Sequence, residues 1–426
     1  MGEMKDSGVE WMGEIPRDWN TVSTKFLFNI FSGATPDSSN PEYWEGGIRW
    51  ITPADYKSSD VYIDGGRRNL SQKGFASCST SMIPAGSLIF SKRAPIGSVA
   101  INRFELCTNQ GCLACVCKGK EVVKYYYYVM AAAAEQYELL GSGTTFKEIS
   151  LLSFANFKLP FPDNQVQHTI SSYLDKKCAQ VDALITNVQA QIEKLKAYKQ
   201  SVITEAVTKG LDPSVPMKDS GVEWMGAIPA SWSLVQLKNA ASLKTGHTPP
   251  TTDTDNFGGG INWYTPGDFT ADVVSASTRT LTSYAIEKEG ISLFPKHATL
   301  LIGIGGTSGK VCKIAAPGYS NQQITAIIAK NHVNSDFLFY EMMAARQYLR
   351  DNAMYTTFPI INNGYLGSLR FALPSMEEQA HIVRFLNEKC ALIDRLIAVK
   401  DAKIEKLGQY KKSLIYEYVT GKKEPS

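Results

Sequence analysis

Apolar residues recur with heptad spacing along two long segments that contain no proline. The segments run from Asp163 to Gly210 and from Ser375 to Lys422. Spacings that alternate between three and four residues over several heptads are typical of a coiled coil. The sequence therefore predicts two long amphipathic helices, each roughly 65 Å long at 1.5 Å per residue. The predicted seam consists of Leu174, Val181, Val188, Leu195 and Val202 in the first helix and of Leu386, Ile393, Ile404, Leu407 and Leu414 in the second, where Lys400 interrupts the pattern.

The two helical segments are copies of each other, and the copying extends over the whole chain. Tyr198 matches Tyr410 at an offset of about 212 residues, and the stretch from Met4 to Pro16 recurs with one change from Met217 to Pro229. A repeat this long indicates a duplicated domain rather than a solenoid. A long apolar stripe cannot be buried by an isolated helix, so we expect the second helix to be the partner of the first.

The stretch before each helix predicts a globular domain of mixed secondary structure. Short β-type runs alternate with clusters of Gly, Pro, Ser and Asn, and one helical stretch follows them. The predicted strands are Ser87–Ser91, Gly97–Ile101 and Cys112–Cys117 in the first copy and Thr299–Ile302, Val311–Ile314 and Ile324–Ala329 in the second. The predicted helices are Lys124–Leu140 and Ser335–Arg350. We therefore predict an α+β protein in which residues 1–162 and 211–374 form two mixed α/β domains with mostly antiparallel sheets, each followed by a long helix, at 163–210 and, with the C-terminal tail, at 375–426.

Composition narrows the class of protein only slightly. The chain has 426 residues, of which 44% are hydrophobic, and its formal net charge is +3. The sequence has neither an apolar run of 18 residues nor a signal peptide, so we expect a cytoplasmic protein. Its eight cysteines are then expected to be reduced thiols.

Two stretches resemble motifs of catalysis or metal binding, but neither is supported when its residues are compared with the motif or with the second copy. The loop Gly303–Lys310 lacks the glycine spacing of a phosphate-binding loop, because Ile304 stands at the first glycine position and Val311 follows Lys310. Cys107, Cys112, Cys115 and Cys117 have an iron–sulfur-like spacing. However, the second copy has Tyr319, Ile324, Ile327 and Ala329 at those positions, which favours core packing and no metal site. Four consecutive tyrosines, Tyr125 to Tyr128, are likewise interpreted as packing residues.

Charge distribution is the one feature that indicates a polyanionic partner. Gly65 to Phe104 and Gly290 to Ser335 contain basic residues but neither Asp nor Glu, and they occupy corresponding parts of the two domains. Exclusion of carboxylates around Arg and Lys suits a phosphate backbone, and interspersed hydroxyl and amide side chains suit base edges. The predicted DNA contacts are Arg67, Arg68, Lys92, Arg93, Thr144, Thr145 and Lys147 in the first domain and His247, Thr307, Ser308, Lys310, Asn321, Thr356 and Thr357 in the second.

Over nearly its full length the sequence resembles the specificity (S) subunits of type I DNA restriction–modification enzymes. The resemblance rests on Ser7 to Pro16 with Trp19, on Thr52-Pro53-Ala54-Asp55, on Thr144 to Ser150 and on Pro374 to Gln379. The first helix departs from this pattern, since Pro162 to Gln167 lacks the acidic pair that opens the second. The order of the motifs, two domains each followed by a helix, is more specific than any one motif.

The resemblance implies that this chain recognises DNA and that partner subunits carry out catalysis. Each globular domain would be a target-recognition domain that reads half of a bipartite site on double-stranded DNA. The two helices would pair as an antiparallel coiled coil with pseudo-twofold symmetry, and they would set the spacing between the half-sites. The chain itself would be non-catalytic. It would recruit two modification (methyltransferase) subunits that use S-adenosylmethionine and restriction (translocase/nuclease) subunits that use ATP and Mg.

Two other interpretations remain open at this point. One is a single-chain enzyme with built-in recognition, against which the absence of methylase and nuclease motifs argues. The other is a coiled-coil interaction or structural protein that does not bind DNA, which would show no salt-dependent DNA affinity together with its partners.

Overall fold

The fold is taken from a computed structural model, which describes residues 3–56, 61–93, 95–143, 147–355 and 359–425. The chain forms two compact units. Unit 1 is the described part of residues 1–188 together with 402–426, and unit 2 is the described part of residues 189–401. Each unit therefore contains one globular domain, the first part of the long helix that follows this domain and the last part of the other long helix. None of the described helices combines the length and apolar character needed to cross a membrane.

Unit 1 contains short strands and short helices before the first long helix. Its strands are β1 (Met4–Asp6), β2 (Glu14–Pro16), β3 (Asn20–Ser23), β4 (Phe28–Ser32), β5 (Trp44–Ile51), β6 (Tyr62–Ile63), β7 (Asn69–Leu70), β8 (Leu88–Ser91), β9 (Val99–Asn102), β10 (Cys107–Thr108), β11 (Cys112–Cys117) and β12 (Lys158–Phe161). Its helices are α1 (Thr24–Leu27), α2 (Gln72–Ala76), α3 (Val123–Ala132), α4 (Ala134–Leu139), α5 (Leu151–Asn156), the first part of α6 (Asn164–Lys209) and the last part of α12 (Met376–Val419).

Among the described residues, unit 2 repeats this order and has a hairpin before its last strand, where unit 1 has the isolated bridge between Ser142 and Glu148. Its strands are β13 (Met217–Asp219), β14 (Ala227–Pro229), β15 (Ser233–Gln236), β16 (Ala241–Thr245), β17 (Phe257–Tyr264), β18 (Val273–Val274), β19 (Arg279–Leu281), β20 (Thr299–Ile302), β21 (Val311–Ile314), β22 (Tyr319–Ser320), β23 (Ile324–Ala329), β24 (Met354–Tyr355), β25 (Pro359–Ile360) and β26 (Arg370–Leu373). Its helices are the last part of α6, then α7 (Leu237–Ala240), α8 (Ser283–Glu289), α9 (Ser335–Ala344), α10 (Arg346–Asp351), α11 (Asn363–Ser368) and the first part of α12 (Met376–Val419).

A five-stranded sheet forms the centre of each domain. The strand order is β4-β11-β8-β9-β6 in unit 1 and β16-β23-β20-β21-β18 in unit 2. Three of the four pairings are antiparallel and the last is parallel. Strands β8 and β20 are buried throughout, as their short apolar runs indicate. The predicted strands and the mostly antiparallel sheets are thus confirmed.

The helix predicted over Lys124–Leu140 is instead two helices, α3 and α4, that meet at Ala133. The φ and ψ of Ala133 are −88° and 6°, outside the α region. The prediction over Ser335–Arg350 is wrong in the same way, because α9 and α10 meet at Ala345. Periodicity alone did not reveal these breaks, since both segments remain apolar and free of proline.

The cysteines and tyrosines of unit 1 are packing residues, as predicted. Cys107, Cys112 and Cys115 are buried in the core, and burial raises the pKa of the Cys107 and Cys112 thiols to about 12. Three of the four consecutive tyrosines are buried: Tyr125, Tyr126 and Tyr128. Within the described residues no group of three His, Cys, Asp or Glu side chains could hold a metal ion.

The two long helices run antiparallel within each unit. In unit 1, Asp182 of α6 receives a hydrogen bond of 2.7 Å from the Nζ of Lys411 in α12. In unit 2, Lys199 of α6 donates over 2.8 Å to Asp394 of α12, and Lys400 donates to Gln191. The lysine that interrupts the predicted seam therefore has a polar partner on the facing helix. The pseudo-twofold relation stays a prediction.

Six of the ten predicted seam residues are buried and the other four are half-buried. The buried seam residues are Leu174, Val181, Val188, Leu386, Ile393 and Leu414, and the half-buried ones are Leu195, Val202, Ile404 and Leu407. In the last part of α6, burial shifts to Ile192, Ile203 and Val207. Ile203 and Val207 belong to the core of unit 2, so that domain determines which helix face is covered.

A buried glutamine fixes the start of each long helix to the domain beside it. Gln167 accepts a hydrogen bond from the Val122 amide over 3.0 Å and donates to the Pro162 carbonyl over 2.9 Å. Gln379 makes the equivalent bonds to Asn334 and Pro374, over 2.7 and 3.0 Å. Because both polar ends of each amide are satisfied, these glutamines orient the helix without an unpaired buried group.

The Thr-Pro-x-Asp motif is a structural turn at the end of β5 and of β17. In unit 2, Asp268 accepts hydrogen bonds from the backbone amides of Thr265 and Thr278, over 2.7 and 2.8 Å, and from both hydroxyls. In unit 1, Asp55 accepts from the amides of Thr52 and Arg67. The aspartate thus ties the end of the long strand to the segment that leads into β7 or β19.

Removal of the Asp268 carboxylate should destabilise unit 2. Burial acts to raise the pKa of Asp268, but hydrogen bonds from Thr278 and Thr265 outweigh it and hold the pKa below its usual value. The ionised form therefore stabilises the fold above about pH 4, and this contribution is lost as the pH falls through the folded-state pKa. Asp268→Asn should lower the free energy of unfolding by about 1–3 kcal/mol at pH 7 and by less at pH 3. Urea unfolding at both pH values measures this, with exposed Asp255→Asn as the charge-matched control.

A buried glutamate in unit 2 predicts a stabilising substitution. Glu341 is 0% exposed, neither of its carboxyl oxygens has a hydrogen-bond partner, and unit 1 has buried Val129 at the equivalent place. Burial raises the pKa of Glu341 well above its usual value, so the folded state holds a proton that the unfolded chain releases above about pH 4. Glu341→Val should therefore raise the free energy of unfolding by about 1–3 kcal/mol, and by more at pH 8 than at pH 5.

Thermal unfolding at the two pH values tests this substitution. The reciprocal change, Val129→Glu, should destabilise unit 1 with the opposite pH dependence. Lower stability of Glu341→Val at both pH values would contradict the prediction.

Candidate nucleic-acid interface

The acid-free stretch of unit 1 is not acid-free in the folded domain. All six of its basic side chains lie near carboxylates from outside the stretch. The ion pairs are Arg67–Asp55 at 3.9 Å, Arg68–Glu45 at 3.5 Å, Lys73–Glu42 at 2.9 Å, Lys92–Glu148 at 2.7 Å, Arg93–Glu148 at 3.7 Å and Arg103–Asp64 at 3.4 Å. The absence of carboxylates along this stretch of sequence therefore does not extend to the folded surface of unit 1, and the contact residues that it suggested stay predictions.

Several turns of unit 1 meet at one exposed edge of the domain, which we term rim 1. Thr35 donates a hydrogen bond to the Gln110 side chain. A Cβ at neighbouring Gly111 would lie 2.8 Å from the Pro53 ring and 3.0 Å from the Arg93 Nε, so only glycine lets these turns approach so closely. Rim 1 therefore comprises Thr35, Pro53, Arg93 and Gln110, with Glu148 joined to Arg93.

Lys92 and Arg93 are held by the same carboxylate. The Lys92 side chain is only 13% exposed, whereas that of Arg93 is 33% exposed. The backbones of Arg93 and Glu148 also pair as an isolated β-bridge. Lys92 is thus a largely internal ion-pair partner, while Arg93 and exposed Lys147 present their cationic groups at the surface.

Unit 2 has an edge of the same framework but different chemistry, termed rim 2. Thr248 donates to Gln322 just as Thr35 donates to Gln110. The isolated β-bridge is also present, but it joins Ile304 to Ile360 instead of an arginine to a glutamate. Ile304 is exposed. Rim 2 therefore has two apolar side chains where rim 1 has an ion pair.

The other predicted contacts of unit 2 differ in how far their side chains are exposed to solvent. His247 is exposed and lies 3.3 Å from Glu289, and Asn321 donates to Gln323 over 2.9 Å. Thr307 is exposed, but Ser308 is 1% exposed and Lys310 donates its Nζ to the Phe269 carbonyl. Ser308 is consequently not placed at the surface that a DNA contact needs. The remaining predicted contacts, Thr144, Thr145, Thr356 and Thr357, lie outside the described residues.

One exposed cation was missed because it lies outside both acid-free stretches. Arg279, the first residue of β19, has its guanidinium carbon 4.6 Å from the Phe257 ring centroid and 5.0 Å from that of Trp263. Arg68 of unit 1 similarly lies 3.6 Å from the Trp44 ring. An alignment of the two copies around Leu70 and Leu281 would have revealed that Arg68 and Arg279 are equivalent.

Three known proteins of similar sequence are described as specificity subunits of type I restriction enzymes. The chain is 30% identical over 255 residues to the type I restriction enzyme MjaIX specificity subunit of Methanocaldococcus jannaschii, a match covering 58% of this chain and 56% of that protein. Identity to the MjaVIII specificity subunit of the same organism is 26%, over 66% of this chain and 65% of that protein. The chain thus aligns with less than two thirds of either relative. Identity to the putative MjaX specificity subunit is 23%, with 96% and 95% coverage.

The fold also has a solved counterpart. A chain from a structural study of complex assembly and conformational transition of the type I R-M system superimposes with a TM-score of 0.70, covering 95% of this chain and 98% of that one at 14% identity. The family model described as type I restriction modification DNA specificity domain matches residues 16–194 and again residues 229–407. The chain therefore belongs to the type I restriction–modification DNA specificity family, and it contains two copies of the family's domain in tandem.

Proposed function

We propose that this chain is the DNA-recognition subunit of a type I restriction–modification complex and that each unit reads one half of a bipartite target. The observation that carries the proposal is the contrast between the two rims. The Thr–Gln contact and the β-bridge recur in both, whereas the bridging pair changes from Arg93 and Glu148 to Ile304 and Ile360. A common framework with different exposed side chains suits two domains that read different base sequences.

The long helices supply the fixed spacing in this proposal. The helix α6 has 46 residues and α12 has 44. At 1.5 Å per residue each extends over roughly 65–70 Å, which exceeds the turn of about 34 Å that separates equivalent faces of a duplex. A helix pair of this length can therefore hold two recognition domains apart across an unread spacer.

Partner subunits complete the proposed complex, which would act in the cytoplasm. Two modification (methyltransferase) subunits would bring S-adenosylmethionine, and restriction (translocase/nuclease) subunits would bring ATP and Mg, leaving this chain without a catalytic role. Exposed apolar side chains on α12, namely Leu392, Leu396 and Val399, favour a protein partner along that helix. The same residues would also suit the alternative, an interaction protein that does not bind DNA.

Mapping methylated adenines tests the proposed function directly. The chain is expressed with its cognate modification subunit in a host that lacks other adenine methylation, and the genome is sequenced for modified bases. We expect a split motif with a constant gap. A complex that assembles and binds S-adenosylmethionine but adds no methylation and shows no salt-dependent DNA affinity would favour the interaction protein.

Exchange of one domain should change one half-site only. If residues 4–160 are replaced by the corresponding domain of a relative with another specificity, one half of the motif should change while the gap and the other half remain. The same methylation mapping provides the measurement, and the reciprocal exchange of residues 217–372 is the matched control. A change of both halves after either exchange would contradict a model of one domain for each half-site.

A further inference from the structure

An arginine backed by an aromatic ring occupies the same place in both units. In unit 1, Leu70 of β7 pairs with Trp44 and Ile48 of β5, and Arg68 lies two residues before it. In unit 2, Leu281 of β19 pairs with the equivalent residues Phe257 and Ile261 of β17, and Arg279 lies two residues before it. The register of the two small sheets therefore makes Arg68 and Arg279 equivalent.

The surroundings hold each guanidinium in place. The ring of Trp44 lies 3.6 Å from Arg68, and the rings of Phe257 and Trp263 lie 4.6 and 5.0 Å from Arg279. A ring covers one face of the planar group, so its N–H donors remain available in the plane. The preceding residue is anchored as well, because Asp55 accepts from the Arg67 amide and Asp268 from the Thr278 amide.

The two arginines differ in how far their charge is already neutralised. Glu45 lies 3.5 Å from Arg68, and unit 2 has Gly258 at the position of Glu45. In the part of the chain that the structure describes, no carboxylate forms an ion pair with Arg279, which is exposed. Unit 2 thus presents a preorganised cation, whereas unit 1 presents the same group partly occupied by a carboxylate.

We infer that Arg279 is a contact for a backbone phosphate of bound DNA and that Arg68 is its equivalent in unit 1, restrained by Glu45. This inference rests on the proposed function. A feature retained in two domains whose rims differ suits what all duplexes share, which is the phosphate backbone, while base reading suits the positions that differ. The planar guanidinium matches the geometry of phosphate oxygens, and a backing ring reduces the freedom lost on binding.

The salt dependence of DNA affinity tests the phosphate contact. The complex of the full chain with its modification subunit is titrated onto a duplex that carries the mapped target, at several NaCl concentrations. Arg279→Ala should weaken binding by about 3–10-fold at moderate salt and reduce the slope of log K against log salt by about one, with the methylated motif unchanged. Arg279→Lys keeps the charge, so it should retain the slope.

Glu45→Gly provides the opposite change in unit 1. The substitution introduces the residue that unit 2 has at this position. The Glu45 side chain is 74% exposed, and glycine accepts the positive φ of 58° found there. Because it frees the Arg68 guanidinium, it should tighten binding and make the salt slope steeper by about one. Arg370→Ala, an exposed arginine on β26 in unit 2, is the charge-matched control and should leave the slope unchanged.

The outcomes separate this inference from the proposed function. An unchanged slope in both Arg279→Ala and Glu45→Gly would show that the arginines only pack against the rings, and it would overturn the inference. A relaxed base preference with an unchanged slope would assign Arg279 to a base edge and would also overturn it. Failure of the unsubstituted complex to bind DNA or to methylate a split motif would instead remove the proposed function on which both depend.

Discussion

The architecture depends on burying two long amphipathic helices against each other in one register. Most of the stabilisation comes from the apolar seam, because exposed or half-exposed ion pairs each contribute about 1 kcal/mol or less. The register, however, is defined by the pairs Asp182–Lys411 and Lys199–Asp394. Each pair joins the same two positions of the repeat, with the copies exchanged. Because the helices are copies and run antiparallel, one aspartate and one lysine of the repeated segment form the same ion pair twice, once in each unit.

The same duplication separates what the fold requires from what it permits. Both copies retain the aspartate turn at the end of the long strand, the glutamine at the start of the long helix and the Thr–Gln contact. These groups satisfy backbone donors or join turns, so their loss would leave polar atoms unpaired. The bridging pair at the rim and the buried position occupied by Val129 or Glu341 vary instead. The rim can vary because its side chains face solvent, whereas Glu341 remains tolerable only as a neutral acid.

Most of the secondary structure followed from local patterns in the sequence. The strands around Leu88–Ser91 and Thr299–Ile302 were predictable because their apolar runs are short and bounded by turn residues, and the long helices because their heptads persist. The breaks at Ala133 and Ala345 left no such mark.

The candidate site was less predictable because electrostatic partners come from distant segments. Glu148 neutralises Lys92 from 56 positions along the chain, and no linear window reveals that approach. The burial of Ser308 has the same cause, since it depends on how its loop packs. The position of Arg279 beside Phe257 and Trp263 could be recognised only once the strand register was known.

The end of α12 has a consequence for synthesis on the ribosome. Tyr125 donates to the carbonyl of Val419, 294 positions later, and Lys422 donates to the carbonyl of Met12, 410 positions earlier. Unit 2, in contrast, is a continuous piece of chain. The domain translated first is thus the last to acquire its complete set of contacts. Until the end of α12 emerges, the apolar surface around Tyr125 and Leu174 lacks its native cover. Long sequence separations of this kind slow folding and expose nascent chains to aggregation.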